Sequence, residues 1–192
     1  MEKQVIFRDN QELQAADLNN AQSYAADSLQ HIVQDAVSTG RHYTGGAVTA
    51  NSATEVGVAP LRLYNDGAVY VSEQTQTINL FQYLPLATKK VVAIVAWGQE
   101  VDTDVEPRDF VIDLTTNTTQ PQAVAMQRLR LAHIDPLGGV EAADPQPPAA
   151  QNSTLPIAYV YLTPTGIERI VMIEANELPN TRDHEERVVL LE

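Results

Sequence analysis

The chain contains no cysteine. That removes disulfides, thiolate metal sites and cysteine nucleophiles together, and leaves the redox compartment open. Basic charge is scarce as well: 12 Lys and Arg stand against 25 Asp and Glu, giving a net charge of −13. Such a field repels a phosphate backbone and argues against nucleic acid as a partner. It also keeps a protein soluble at high copy number. No apolar run is long enough to span a bilayer, and Met1–Asn10 is too mixed and polar to read as a signal peptide, so no membrane partner is expected. Aromatics make up only 6% of the chain, with one Trp, and no aromatic-rich loop stands ready to stack a sugar. No glycine-rich loop leads into a helix, because Gly45-Gly46 precedes a strand pattern. A Gly-x-Ser-x-Gly elbow is missing too.

What is present begins with one long helical signal, Asp17 to Val37. Leu18, Ala25 and Ile32 recur every seven residues, with Ala21, Leu29, Val33 and Ala36 three or four positions away. That is an apolar face at helical period. Asp17 is placed to be the N-cap, and Gly40 to take the left-handed position past the C-terminus. The stripe is narrow and partly alanine, which suits close approach of another helix, and no second strong helical signal follows. The alternative is that the stripe packs on the chain's own sheet. Ahead of the helix, Val5-Ile6-Phe7 forms an apolar arm that reads as inserting into a core or a neighbour.

After Gly40 the period changes to two. Short strands are expected at Ala47–Thr49 and Glu55–Ala59. Leu61–Tyr64 and Ala68–Val71 flank Asn65-Asp66-Gly67, a strong hairpin signal because these residues tolerate positive φ. Thr75–Leu80 alternates, and Val91–Trp97 is apolar on both faces and reads as a central, doubly covered strand. A further strand is expected at Phe110–Leu114, then a polar turn over Thr115–Gln120. Val124–Ile134 mixes helical composition with strand alternation, and the alternation is followed. Glu141–Ser153, with Pro145, Pro147 and Pro148, reads as a surface loop. Pro156–Leu162 and Ile167–Ile173 form a second hairpin, with Tyr159 and Tyr161 on one face and expected in the core. The fold class is therefore α+β, mainly β: an N-terminal α-helix followed by an antiparallel β-sandwich or a small barrel-like domain. The expected divisions are residues 1–40 as arm and helix, 41–174 as the β-rich domain and 175–192 as a C-terminal docking tail.

Candidate chemistry is thin. The four histidines, His31, His42, His133 and His184, form no ligand pair, although His31 and Asp35 lie one helical turn apart. Asp102, Asp104 and Glu106 alternate as calcium ligands do, yet lack the required glycine and the late bidentate glutamate. They read as a solvated acidic loop between strands. No catalytic, cofactor-binding or metal-binding residue is assigned, and no cofactor is expected.

Several stretches together resemble a known group. Phe7-Arg8-Asp9-Asn10-Gln11-Glu12-Leu13-Gln14-Ala15-Ala16-Asp17-Leu18-Asn19 runs into the polar helix. Gly45–Thr49, Arg62–Tyr64, Gly67–Tyr70 and Glu106-Pro107-Arg108 follow in order. A proline-rich loop, Leu155–Val160 and Thr165–Ile167 complete the series. The pattern resembles bacteriophage baseplate and tail-fibre-attachment proteins, especially those of contractile-tailed phages, across most of residues 7–174. It is a style of sequence rather than a sharp motif. The resemblance implies assembly rather than turnover: an N-terminal part docked on the baseplate, a distal part in contact with fibres, and trimers or other repeats around the tail axis. The chain departs from that pattern by stopping at Glu192 with no fibre or receptor-binding head, which suits a small adaptor or the front of a longer chain.

The expected partners are thus other copies of the chain, as a trimer or higher symmetric assembly, and other tail, baseplate or fibre proteins. The expected place is the virion tail, after synthesis in the host cytoplasm. The expected interface residues are Val5, Ile6, Phe7, Leu18, Ala25, Leu29 and Ile32. Two rival readings stand beside this one. A carbohydrate-binding or surface-adhesion sandwich needs a cleft lined by Tyr or Trp and polar groups. A carbohydrate-active enzyme needs two carboxylates facing each other across a groove.

Overall fold

The structure is a computed structural model that describes residues 3–9, 11–113, 115–151 and 153–178. The expected docking tail therefore lies outside the described residues from position 179 onward. The helix α1 runs over Ala15–Ala36 and starts earlier than the sequence suggested. Gln14, not Asp17, is the N-cap, in an extended conformation with φ −105° and ψ 153°. Asp17 acts from the third helical position, where its carboxylate accepts from the Gln14 backbone N–H at 3.1 Å. An acidic side chain in the first turn is favoured by the helix dipole in either role. Gly40 does not cap the other end. The helix stops at Ala36, and the N–H groups of Val37 and Ser38 both bond the Val33 carbonyl at 2.9 Å.

Ten strands follow: β1 His42–Gly45, β2 Val48–Ala50, β3 Glu55–Val58, β4 Leu61–Asn65, β5 Ala68–Ser72, β6 Gln76–Asn79, β7 Lys90–Asp113, β8 Thr118–Gly138, β9 Leu155–Thr163 and β10 Gly166–Met172. Seven of them form one sheet in the order β1-β4-β5-β8-β7-β9-β10, and β2-β3-β6 form a second. Val48, Val56, Val58 and Leu80 from the small sheet and its flank join Leu63, Val92, Ile94, Val160 and Leu162 of the large one in a single core. Val91–Ala96 is buried on both faces between β8 and β9, as its unbroken apolar run foretold. The β4–β5 hairpin turns at Asp66 (φ 50°) and Gly67 (φ 77°), both in the left-handed region that two-residue hairpins use.

Four expectations are corrected. The fold is mainly β with one N-terminal helix, but its large sheet is mixed, because β5 meets β8 in parallel at Val71–Leu131. Nor is it closed into a barrel: β1 and β10 stand at opposite ends of the strand order, and an isolated bridge links Tyr43 to Glu177 near that gap. Tyr159 and Tyr161 lie half-buried on the outer face, while Ala158, Val160 and Leu162 turn inward. The acidic segment around Asp102 and Asp104 is strand, not loop. β7 continues through it, and the polar turn narrows to the residues ahead of Thr118.

That continuation produces the most unusual feature of the fold. β7 and β8 stay in one register from Val92–Gly138 out to Val111–Thr119. β9 leaves β7 at Ala96, and β5 touches β8 at Leu131. From Glu100 and Arg130 outward, among the described residues, the two strands pair only with each other. At roughly 3.3 Å per residue this two-stranded ribbon carries its tip about 45 Å from the body. Pro107 and Pro121 sit in the ribbon opposite Ala123 and Asp109. Proline lacks the N–H that a central strand needs, and each ribbon strand has a free outer edge where that donor is not missed.

Candidate assembly surfaces

The expected interface residues fall on two neighbouring elements. No residue of α1 is buried. Leu18, Leu29 and Ile32 are 54%, 63% and 59% exposed, and Ala25 is exposed between them. Two other residues of the apolar stripe separate from this ridge: Ala21 and Val33 lie half-buried on the side towards the body, while Ala36 is exposed. In the N-terminal arm, Val5 is half-buried, whereas Ile6 is 66% exposed and Phe7 47%. The arm runs beside the helix, with the Lys3 ammonium 5.5 Å from the centre of the Tyr24 ring.

The helix is held to the sheet by its polar face. The side-chain amides of Gln30 and Gln34 each donate to the Asp66 carbonyl at 3.0 Å, and Gln34 also donates to the Asp66 carboxylate at 3.0 Å. Gly67 makes the close fit possible: a Cβ there would lie 2.5 Å from Gln34 Cγ and 2.6 Å from the Gln30 carbonyl. A glutamine latch on a hairpin turn thus replaces the apolar seat that a helix on a sheet normally has.

The ribbon is the second uncovered element, and sequence reading missed it. Cross-strand partners share a face. On one face Glu100 pairs with Arg130 at 2.8 Å and Asp102 with Arg128 at 2.6 Å. The hydrogen bonds from Arg128 hold the Asp102 carboxyl below its ordinary range. Asp104, at φ 58°, accepts from Gln127 at 2.9 Å. Of the acidic residues that hinted at calcium, Asp102 and Asp104 are therefore engaged across the ribbon, and Glu106 pairs along its own strand with Arg108 at 2.7 Å. The alternate pairs are Val101–Leu129, Thr103–Gln127, Val105–Ala125, Pro107–Ala123 and Asp109–Pro121, with Val105 64% exposed. Phe110, Val111, Ile112 and Met126 are exposed towards the tip. The advance signs were the alternation in Val124–Ile134 and the strand expected at Phe110–Leu114; the stretch that joins the latter to Val91–Trp97 was hidden behind a run of carboxylates.

Two internal devices fix the body beneath these surfaces. Tyr43 is fully buried, and its hydroxyl donates to the carbonyls of Ile157 at 3.3 Å and Ile173 at 3.2 Å. Burial first, then the carboxylates of Glu177 and Glu174, push its pKa up to about 12. Glu141 accepts from the backbone N–H groups of Thr88, Ala87 and Leu86 at 2.8, 2.9 and 3.0 Å, which lower its pKa to about 2. A separate open cleft of about 400 Å³ lies along Trp97, Asp135, Gln151, Ser153 and Thr154. Trp97 stacks on His133 with ring centres 4.4 Å apart and donates its indole N–H to Asp135 at 2.6 Å.

The model of one protein family, a domain of unknown function (DUF4815), matches residues 1–111. The chain belongs to that family. The DUF4815 match takes in the arm, α1, β1–β6 and nearly all of β7, and ends inside the ribbon. No curated protein matches the chain. A crystal structure of TssK is similar over 88% of this chain, at 8% identity and a TM-score of 0.43. This chain spans about two fifths of the TssK chain, as the match covers 41% of it. A likeness of that size carries no argument about function.

Proposed function

We propose that this DUF4815 chain is a structural subunit of a phage tail, at the baseplate or the point of fibre attachment, and that it acts by binding its neighbours rather than by turnover. The observation that carries the reading is uncovered apolar surface on projecting elements: the ridge of Leu18, Ala25, Leu29 and Ile32, the Ile6-Phe7 arm beside it, and the exposed Val105, Phe110, Val111 and Ile112 of the ribbon. A surface cluster of this kind on a soluble protein marks a site of association. Burial of apolar area contributes roughly 25 cal/mol per Å², so a few hundred Å² per copy gives several kcal/mol before the costs of association. Symmetric repetition then turns weak contacts into a firm assembly. The tail setting rests on the sequence resemblance along residues 7–174. In this reading the protein is made in the host cytoplasm and resides in the virion.

The test is antibody labelling of tailed particles from an infected culture, viewed by electron microscopy. Label at the end of the tail away from the head is expected. Particles without label, with all of the protein left in the soluble fraction, would refute the tail assignment.

One observation favours a second reading, glycan binding. The Trp97 cleft combines an aromatic ring with Asp135, Gln151, Ser153 and Thr154, the lining such a module needs. One face of Trp97 is already taken by His133, and its N–H by Asp135, so the assembly reading is preferred. Glycan-array binding that Trp97→Ala abolishes would reverse that preference.

A further inference from the structure

We propose that α1 joins the same helix of other copies in a parallel, in-register coiled coil of three or four chains. The proposal rests on the assembly reading and names the partner of the helix ridge as further copies of this chain. Positions 15, 18, 22, 25, 29, 32 and 36 step alternately by three and four, the spacing of heptad positions a and d. The a positions hold Ala15, Gln22, Leu29 and Ala36; the d positions hold Leu18, Ala25 and Ile32. Every one of them is exposed. Gln30 and Gln34, which latch the helix to the Asp66 turn, fall at b and f, so the body stands behind the seam and leaves it clear.

The charge pattern points to a second copy. The chain carries a net charge of −13, and acidic flanks on the seam would drive identical helices apart. The flanking e positions are Asn19, Ala26 and Val33, and the g positions are Ala21, Ser28 and Asp35. Asp35 is the one charge among them, whereas Asp17 and Asp27 face away at c and f. No other α-helix among the described residues could cover the seam from within.

Gln22 decides the direction. In a parallel bundle its amides meet in one layer and bond one another. An antiparallel pair on the same seam layers a against d, so it would press each Gln22 against Ile32 and bury an unpaired amide. A single polar a position also fixes register. Leu29 at a and Ile32 at d form the combination that favours more than two strands.

Because the chain has no cysteine, one introduced thiol reports on one contact. Gln22→Cys and Ile32→Cys are oxidised separately and as a mixture of the two purified proteins, each checked first for an unchanged circular dichroism spectrum. Each variant is expected to form a covalent dimer with itself, and the 22–32 mixed product to be absent. Native mass spectrometry of the unmodified protein is expected to give three or four times the 21.0 kDa of one chain. A dominant 22–32 product, no self-product from either variant, or a mass of one or two chains would overturn the proposal. A bundle that forms from a protein absent from tails refutes only the tail assignment; a monomer found on tails refutes only the bundle.

Discussion

Tyr43 is where the start and the end of the described β-body meet. Its hydroxyl bonds the carbonyls of Ile157 and Ile173, and its own carbonyl accepts from Leu178 at 2.8 Å. Tyr43→Phe should cost roughly 1 kcal/mol in denaturant unfolding at neutral pH, the usual worth of such a bond. The raised pKa sets the sign at high pH. The folded state favours the neutral phenol, so this contribution is complete below pH 10 and is lost as pH rises from 10 through about 12. Unfolding midpoints between pH 9 and 11 should therefore fall more steeply for the native protein than for the Phe variant; equal slopes would contradict this account. Glu141 carries the opposite sign. Its carboxylate is held by three backbone N–H groups, so its contribution is present above pH 4.5 and is lost as pH falls from 4.5 towards about 2. Glu141→Gln should be less stable than the native protein at pH 6, with the difference narrowing by pH 2.5. A constant difference would mean that the charge contributes nothing. Neither residue drew notice in the sequence, because each acts through backbone groups far away in the chain.

At the scale of elements, the latch between α1 and the β4–β5 turn is the fragile joint. Gly67→Ala must place a Cβ against Gln34 and the Gln30 carbonyl at a backbone φ of 77°. A strained position of this kind costs about 1–3 kcal/mol, to be read from denaturant unfolding. If instead the variant matches the native protein, the helix does not sit on that turn. The ribbon invites a different measurement. A two-stranded sheet alone is marginally stable in water, so protease should nick the isolated chain near Thr115–Asn117 while the body stays intact. Val105→Lys, at an exposed site, should leave the stability of the body within about 0.5 kcal/mol and weaken assembly. What could be read in advance followed the range of the interactions. The Asp66-Gly67 turn and the Val91–Ala96 run are local signals, and the structure keeps both. The ribbon was obscured because the partners of Asp102 and Glu100 are arginines on another strand, and because Pro107 and Pro121 normally speak against a strand. The helix stripe was legible as a stripe. Which part of it faces the body depends on where Asp66 lies, and periodicity contains no information about that.

For the molecule as a whole, the β-body buries a proper core and holds two elements away from it. The helix is tied on by amides, and the ribbon ties Glu100 and Asp102 to arginines while Val105, Phe110, Val111 and Ile112 stay exposed. The acidic surface keeps stray contacts weak, while the heptad seam is nearly free of charge. On the proposed reading, these make a subunit that is stable alone and incomplete alone. Sedimentation equilibrium of the purified protein beside the double variant Leu29→Asp/Ile32→Asp tests that claim most directly. The native protein should run well above 21.0 kDa, and the variant at 21.0 kDa with the same circular dichroism spectrum. Two equally well-folded monomers would contradict it.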